Sequence, residues 1–184
     1  SGVTVTKIGQ NGYGDVDGSP LVQKIKSVTS VRVAPSKEFM LISDKGSCKI
    51  KSLDLSTYHL TTVAAHPKII SPVGIAITSN SKVAYIADWG ANAVKVINMN
   101  VVPPSVSTLV GGSKGYADGT GSHVKFYGLE SIALSPDERY LFTTEFKNNV
   151  IRRISISTQT SITWAGKKGK FGSTDAVGTD ARFS

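Results

Sequence analysis

The chain is poor in the residues on which most recognisable chemistry is built. Cys48 is the single cysteine among 184 residues. This excludes an internal disulfide framework and a zinc site made of cysteines. With no histidine near it in sequence, Cys48 reads as a small packing residue rather than a reactive thiol. His59, His66 and His123 are the only histidines. They fall at unrelated points and form no convergent ligand set, and no serine or cysteine nucleophile stands with a histidine and an acid. We therefore expect no catalytic residues, no metal site and no cofactor. Apolar runs are short, none approaching the ~20 residues of a membrane span, so no membrane partner is expected. The chain opens on Ser1-Gly2-Val3 without methionine or a leader pattern, which suggests a processed or trimmed polypeptide. Acidic residues are scarce, 13 against 21 lysines and arginines, for a net charge of +8. That balance invites an anionic partner, although an unspecialised basic surface produces the same number.

Hydrophobic residues make up 40% of the chain and charged residues 18%, a composition that folds. Short β-branched and aromatic runs alternate with Gly, Ser, Asn, Asp and Pro turns, which predicts an all-β protein. The segment Gly115–Phe126 returns in degenerate form up to Phe183: Asp118 maps to Asp175, Gly121 to Gly178 and Lys125 to Arg182, each 57 residues on. A fixed offset of that size marks a repeat architecture.

Three units align, over 28–64, 73–110 and 129–165. In each, an acid ends the second strand (Asp44, Asp88, Glu145), an aliphatic opens the third six residues later (Ile50, Val94, Ile151), and a base follows it (Lys51, Lys95, Arg152). Four short antiparallel strands per unit, repeated radially, make a propeller blade. Bases recurring in step with acids point to structural pairs across the hairpin or to the adjacent blade. The competing reading is a ring of phosphate contacts.

The run Gly115-Tyr-Ala-Asp-Gly-Thr-Gly, with Ile132-Ala-Leu-Ser-Pro-Asp, Asn148-Asn-Val-Ile-Arg-Arg-Ile and Trp164-Ala-Gly, resembles an NHL repeat. Tyr85-Ile-Ala-Asp-Trp-Gly-Ala-Asn-Ala-Val is similar to that family's middle motif. The first unit departs from it, with Cys48 where Asn92 and Asn149 stand. The resemblance implies a ring of about six blades. Here we expect an incomplete ring of about three, preceded by an outer strand at 3–8 and followed by a connector at 166–184. Such an arc leaves two apolar blade faces open. It is read as a fragment of a longer propeller or as half of a ring completed by self-association.

The implied function is a non-enzymatic scaffold that holds loops toward a protein or peptide partner. The candidate contact rim is Lys45, Trp89, Asn92, Phe146 and Lys147, while Trp164 is expected to pack. The alternative is an RNA-binding module using Lys51, Lys95, Arg152, Arg153, Lys167 and Lys168. A further alternative is a fragment of a propeller-fold lyase or lactonase. The segments Asp15–Ser19 and Asp118–Ser122 look slightly like calcium loops but lack the later acidic ligands, so Asp-Gly turns are expected. Gly111–Gly115 lacks the Walker spacing.

Overall fold

A computed structural model describes residues 12–183; the expected outer strand at 3–8 lies outside them. The first sheet holds β1 (Val28–Val33), β2 (Phe39–Asp44), β3 (Lys49–Asp54) and β4 (Leu60–Ala65). The second holds β5 (Pro72–Ile77), β6 (Val83–Asp88), β7 (Ala93–Asn98) and β8 (Ser105–Gly111). In the connector that follows lie β9 (Ser113–Lys114), β10 (Gly119–Thr120) and β11 (Lys125–Phe126). The third sheet is formed by β12 (Leu129–Leu134), β13 (Tyr140–Glu145), β14 (Val150–Ser155) and β15 (Thr160–Gly166). Each sheet is an antiparallel meander in chain order, and β10 joins the third on the free edge of β15. These are three blades of an incomplete β-propeller.

The alternation of the strands explains the stacking. On β6, Ala84 and Ile86 face blade 1, where they meet Leu41, Ile50, Ile75 and Ile97. Tyr85 and Ala87 point the other way, into a core with Val94, Phe126, Leu129, Ile132, Leu141 and Ile154. A strand apolar on both faces belongs between two neighbours. The inner strands β1, β5 and β12 lie side by side. There Gly74 makes a close approach, because a Cβ at this position would sit 2.9 Å from the backbone nitrogen of Ile132.

Turn chemistry repeats as strictly as the strands. Lys37, Ser81 and Glu138, in the hairpins between first and second strands, all have left-handed backbone. So do Cys48 (φ 56°), Asn92 (φ 48°) and Asn149 (φ 56°) in the hairpins between second and third. Cys48 thus makes the same turn as its asparagine equivalents.

Candidate functional site

The acid column proves to be a set of backbone clamps. Asp88 is fully buried and accepts the N–H groups of Ile70 (2.9 Å), Ser71 (2.8 Å) and Ala91 (3.1 Å). Asp44 accepts those of Lys26 (3.1 Å) and Ser27 (2.8 Å) and the Ser47 hydroxyl (3.0 Å). Glu145 accepts the Tyr127 N–H at 2.8 Å and a short bond from the Asn148 amide. Each carboxylate therefore ties the chain entering its blade to the turn between second and third strands. Burial raises the Glu145 carboxyl above its usual range despite these donors and Arg152.

The expectation of a hairpin acid–base pair holds in blade 3 alone, where Arg152 Nη1 lies 2.7 Å from Glu145. Lys51 turns away from Asp44 and bonds Asp15 (2.8 Å) and Asp17 (2.6 Å) in the connector. Arg152 also reaches the connector, at Asp118 (2.7 Å) and the carbonyls of Ala117 (2.9 Å) and Lys125 (3.3 Å). Burial disfavours the charges of Asp15, Asp17 and Lys51, but mutual hydrogen bonding and attraction outweigh it. The Asp15 and Asp17 carboxyls are lowered and Lys51 is raised. Blade 2 is entered by the short link His66–Ser71, which brings no such carboxylate, and Lys95 donates to the Thr108 hydroxyl at 2.9 Å. Two alternative RNA contacts are corrected by this geometry. Lys51 and Arg152 are 0% exposed, and their charges are already matched, so they form no phosphate-gripping ring.

The Asp-Gly turns of the connectors are the partners that sequence reasoning missed. Their signal was the echo of Asp17-Gly18 in Asp118-Gly119. They hold carboxylates against the bases of the blade, which accounts for their composition without calcium. Among the described residues no three His, Cys, Asp or Glu side chains group as a metal site would require.

The candidate rim is partly assembled. Lys45 Nζ lies 4.0 Å from the ring centroid of Trp89, joining blades 1 and 2, and Lys147 Nζ lies 4.2 Å from that of Phe146. Trp89 is only half-buried and packs on the core between blades 2 and 3. Asn92 serves its turn, donating its N–H to the Trp89 carbonyl and accepting that of Gly112. Phe146 is 53% exposed. Two further cation–ring pairs share this end of the blades: Lys114 on Tyr127 (4.4 Å) and Lys168 on Tyr116 (5.2 Å). The opposite end carries Lys37, Lys82 and Arg139 against Glu38, Asp54, Asp137 and Glu138. The basic excess therefore falls on the connector end, where Lys167 and Lys168 are exposed.

Among the described residues, one face of blade 3 is uncovered. Phe142 and Trp164 meet edge to face at 6.0 Å, and Arg153 stacks over Trp164 (4.4 Å) and Tyr140 (4.9 Å). Arg153 accordingly sits on this face and not on the rim. Trp164, expected to pack, instead stays 46% exposed on this face. A cavity of about 270 Å³ opens in blade 3 between Phe146, Ile151 and Phe183. The equivalent face of blade 2, with Tyr85 for Phe142 and Leu109 for Trp164, is buried under blade 3.

No family model matches the chain, and no curated protein matches its sequence. Solved structures do. An auxiliary nutrient binding protein from Bacteroides thetaiotaomicron VPI-5482 superposes with a TM-score of 0.72 at 16% identity, over 88% of this chain and 42% of that one. Its counterpart from Bacteroides ovatus ATCC 8483 gives 0.70 at 16% identity with the same coverage. A catalytically inactive virginiamycin B lyase from Staphylococcus aureus, solved with quinupristin, gives 0.54 at 18%, over 74% of this chain and 40% of that one. The chain spans less than half the length of these structures. At such identities the likeness establishes the fold: a partial β-propeller.

Proposed function

We propose that this arc belongs to an NHL-type propeller and acts as a non-enzymatic scaffold. It presents its connector-end loops to a protein or peptide partner. The observation that carries the reading is the segregation of free positive charge and aromatic surface onto that end. Lys45, Lys114, Lys147 and Lys168 lie on aromatic rings and make no ion pair among the described residues, while the buried bases are neutralised by connector acids. Aromatic side chains are among the residue types that dominate protein-contact energetics. The names of the structural neighbours, nutrient-binding proteins among them, support binding in general. Selection of displayed random peptides against the chain tests this. Enriched sequences should be acidic and should lose binding to a Phe146→Ala/Lys147→Ala variant of unchanged thermal stability. Equal binding by that variant overturns the rim.

RNA binding is the second reading, favoured by the exposed run Lys167-Lys168-Gly169-Lys170 next to Tyr116. It requires single-stranded RNA to bind with an affinity that falls steeply with salt, through counterion release. The uncovered face of blade 3 adds a third contact. A second copy supplying its own first blade would bury Phe142 and Trp164 as blade 3 buries Tyr85 and Leu109 in blade 2.

A further inference from the structure

Blades 1 and 3 display what the edge of an outer strand holds in this protein. In blade 1, Asp17 bonds Lys51 at 2.6 Å and accepts the N–H of Thr62 at 2.6 Å. Gly18 then exchanges both backbone hydrogen bonds with Leu60, at 2.8 and 2.9 Å. In blade 3, Asp118 bonds Arg152 at 2.7 Å and accepts the Thr163 hydroxyl at 3.1 Å. Gly119 and Thr120 pair there with Ser161 and Thr160. Both segments are an Asp-Gly step laid as an extra strand along the outer edge. The glycine has φ +131° at Gly18 and +148° at Gly119, a conformation open to glycine and strained for other residues.

Among the described residues, blade 2 has the receptor without the occupant. Its third and fourth strands keep the same register: Lys95 opposite Thr108 and Ile97 opposite Val106 match Lys51 opposite Thr62 and Leu53 opposite Leu60. They match Arg152 opposite Thr163 and Ile154 opposite Ser161 as well. The short link into blade 2 supplies no Asp-Gly step, so β8 ends its sheet. Lys95 is half-buried where its equivalents are fully buried, and Ser105, Ser107 and Thr108 are exposed. An edge strand with unpaired backbone groups is a template for another strand.

We infer that the outer edge of blade 2 is a docking site for an extended acidic segment of a partner protein containing an Asp-Gly step. The aspartate binds Lys95 and the Thr108 N–H, and the glycine pairs with Val106. Backbone pairing supplies adhesion, and the charge together with the left-handed glycine supplies selectivity. The surface is separate from the rim, so either can fail without the other.

The chain's own segment 115–122, Gly-Tyr-Ala-Asp-Gly-Thr-Gly-Ser, added as a free peptide, is the probe. In an amide-shift titration by NMR, saturable shifts should appear at Lys95 and Val106–Thr108 in the millimolar range or tighter. Lys95→Ala should weaken binding roughly tenfold, and so should asparagine in place of the peptide's aspartate, while Lys95→Arg should retain it. Absence of shifts on β8, shifts at the β4 and β15 edges instead, or undiminished binding to Lys95→Ala would each overturn the inference.

Discussion

Replacing each base of the repeated column by methionine should give three different costs at one repeat position. Arg152→Met removes two ion pairs and two carbonyl contacts and leaves Glu145, 0% exposed, without its counter-charge. Breaking a buried pair in this way costs about 3–5 kcal/mol. For a domain of this size, that lowers the melting midpoint by roughly 6–20 °C. Lys51→Met takes one partner from each of two carboxylates, but Asp15 keeps Lys49 at 2.6 Å, Asp17 keeps the Thr62 N–H, and the two are 31% and 37% exposed. The cost should be about 1–2 kcal/mol. Lys95→Met loses one hydrogen bond to an exposed threonine and should stay within about 0.5 kcal/mol. Thermal unfolding followed by circular dichroism and calorimetry reads all three. The double variant Arg152→Met/Glu145→Gln should recover part of the loss, since it removes the orphaned charge. If Lys95→Met is as damaging as Arg152→Met, the column owes its worth to the hairpin and not to the connector, and the reasoning fails.

Gly74→Ala should lower the unfolding free energy by about 1–3 kcal/mol, because its Cβ would strike the β12 backbone of the next blade; an unchanged denaturation midpoint would mean that the inner strands are not in contact. Cys48→Asn should raise stability by about 0.5–1 kcal/mol, since asparagine tolerates the left-handed backbone found there. The Asp15 and Asp17 carboxyls are lowered in the fold, so their stabilisation is full above the ordinary value of 3.8 and is lost as pH falls below it. Asp17→Asn should flatten that acid limb of the stability curve. The raised Glu145 carboxyl has the opposite sign and cannot supply the limb. Sedimentation velocity should show concentration-dependent association of the chain that Trp164→Glu abolishes; a chain that stays monomeric as its concentration is raised would remove the second copy as occupant of the blade 3 face.

The fold was legible because it rests on local alternation and turn chemistry. Val83-Ala-Tyr-Ile-Ala-Asp reads as a strand buried on both faces, and it lies between two blades with Ile86 and Tyr85 on opposite sides. The partners of the charged columns were not legible, for a physical reason. Acid and base recur together whether they bond each other or are both anchored to the same connector, and only the three-dimensional path separates the two. Asp88 reaches back to Ile70 and Ser71, and Lys51 reaches back to Asp15 and Asp17. The turn at Cys48 raised a similar problem. A residue with no preference for left-handed backbone was placed there because the register of β2 and β3 leaves no other path.

In a chain of near-copies, residues shared by every blade report how blades are held together, and differences between blades report what else they do. Lys51, Lys95 and Arg152 occupy one repeat position, and each faces a threonine across a register shift in the fourth strand. Read as a column, they are interchangeable. Their fates diverge because two connectors are long enough to lay an Asp-Gly step over the outer strand and one is not. The same sequence element therefore makes a sealed structural lock in blades 1 and 3 and an accessible cation beside an unpaired strand edge in blade 2. Connector length, not the identity of the base, turns a stabilising residue into a binding one.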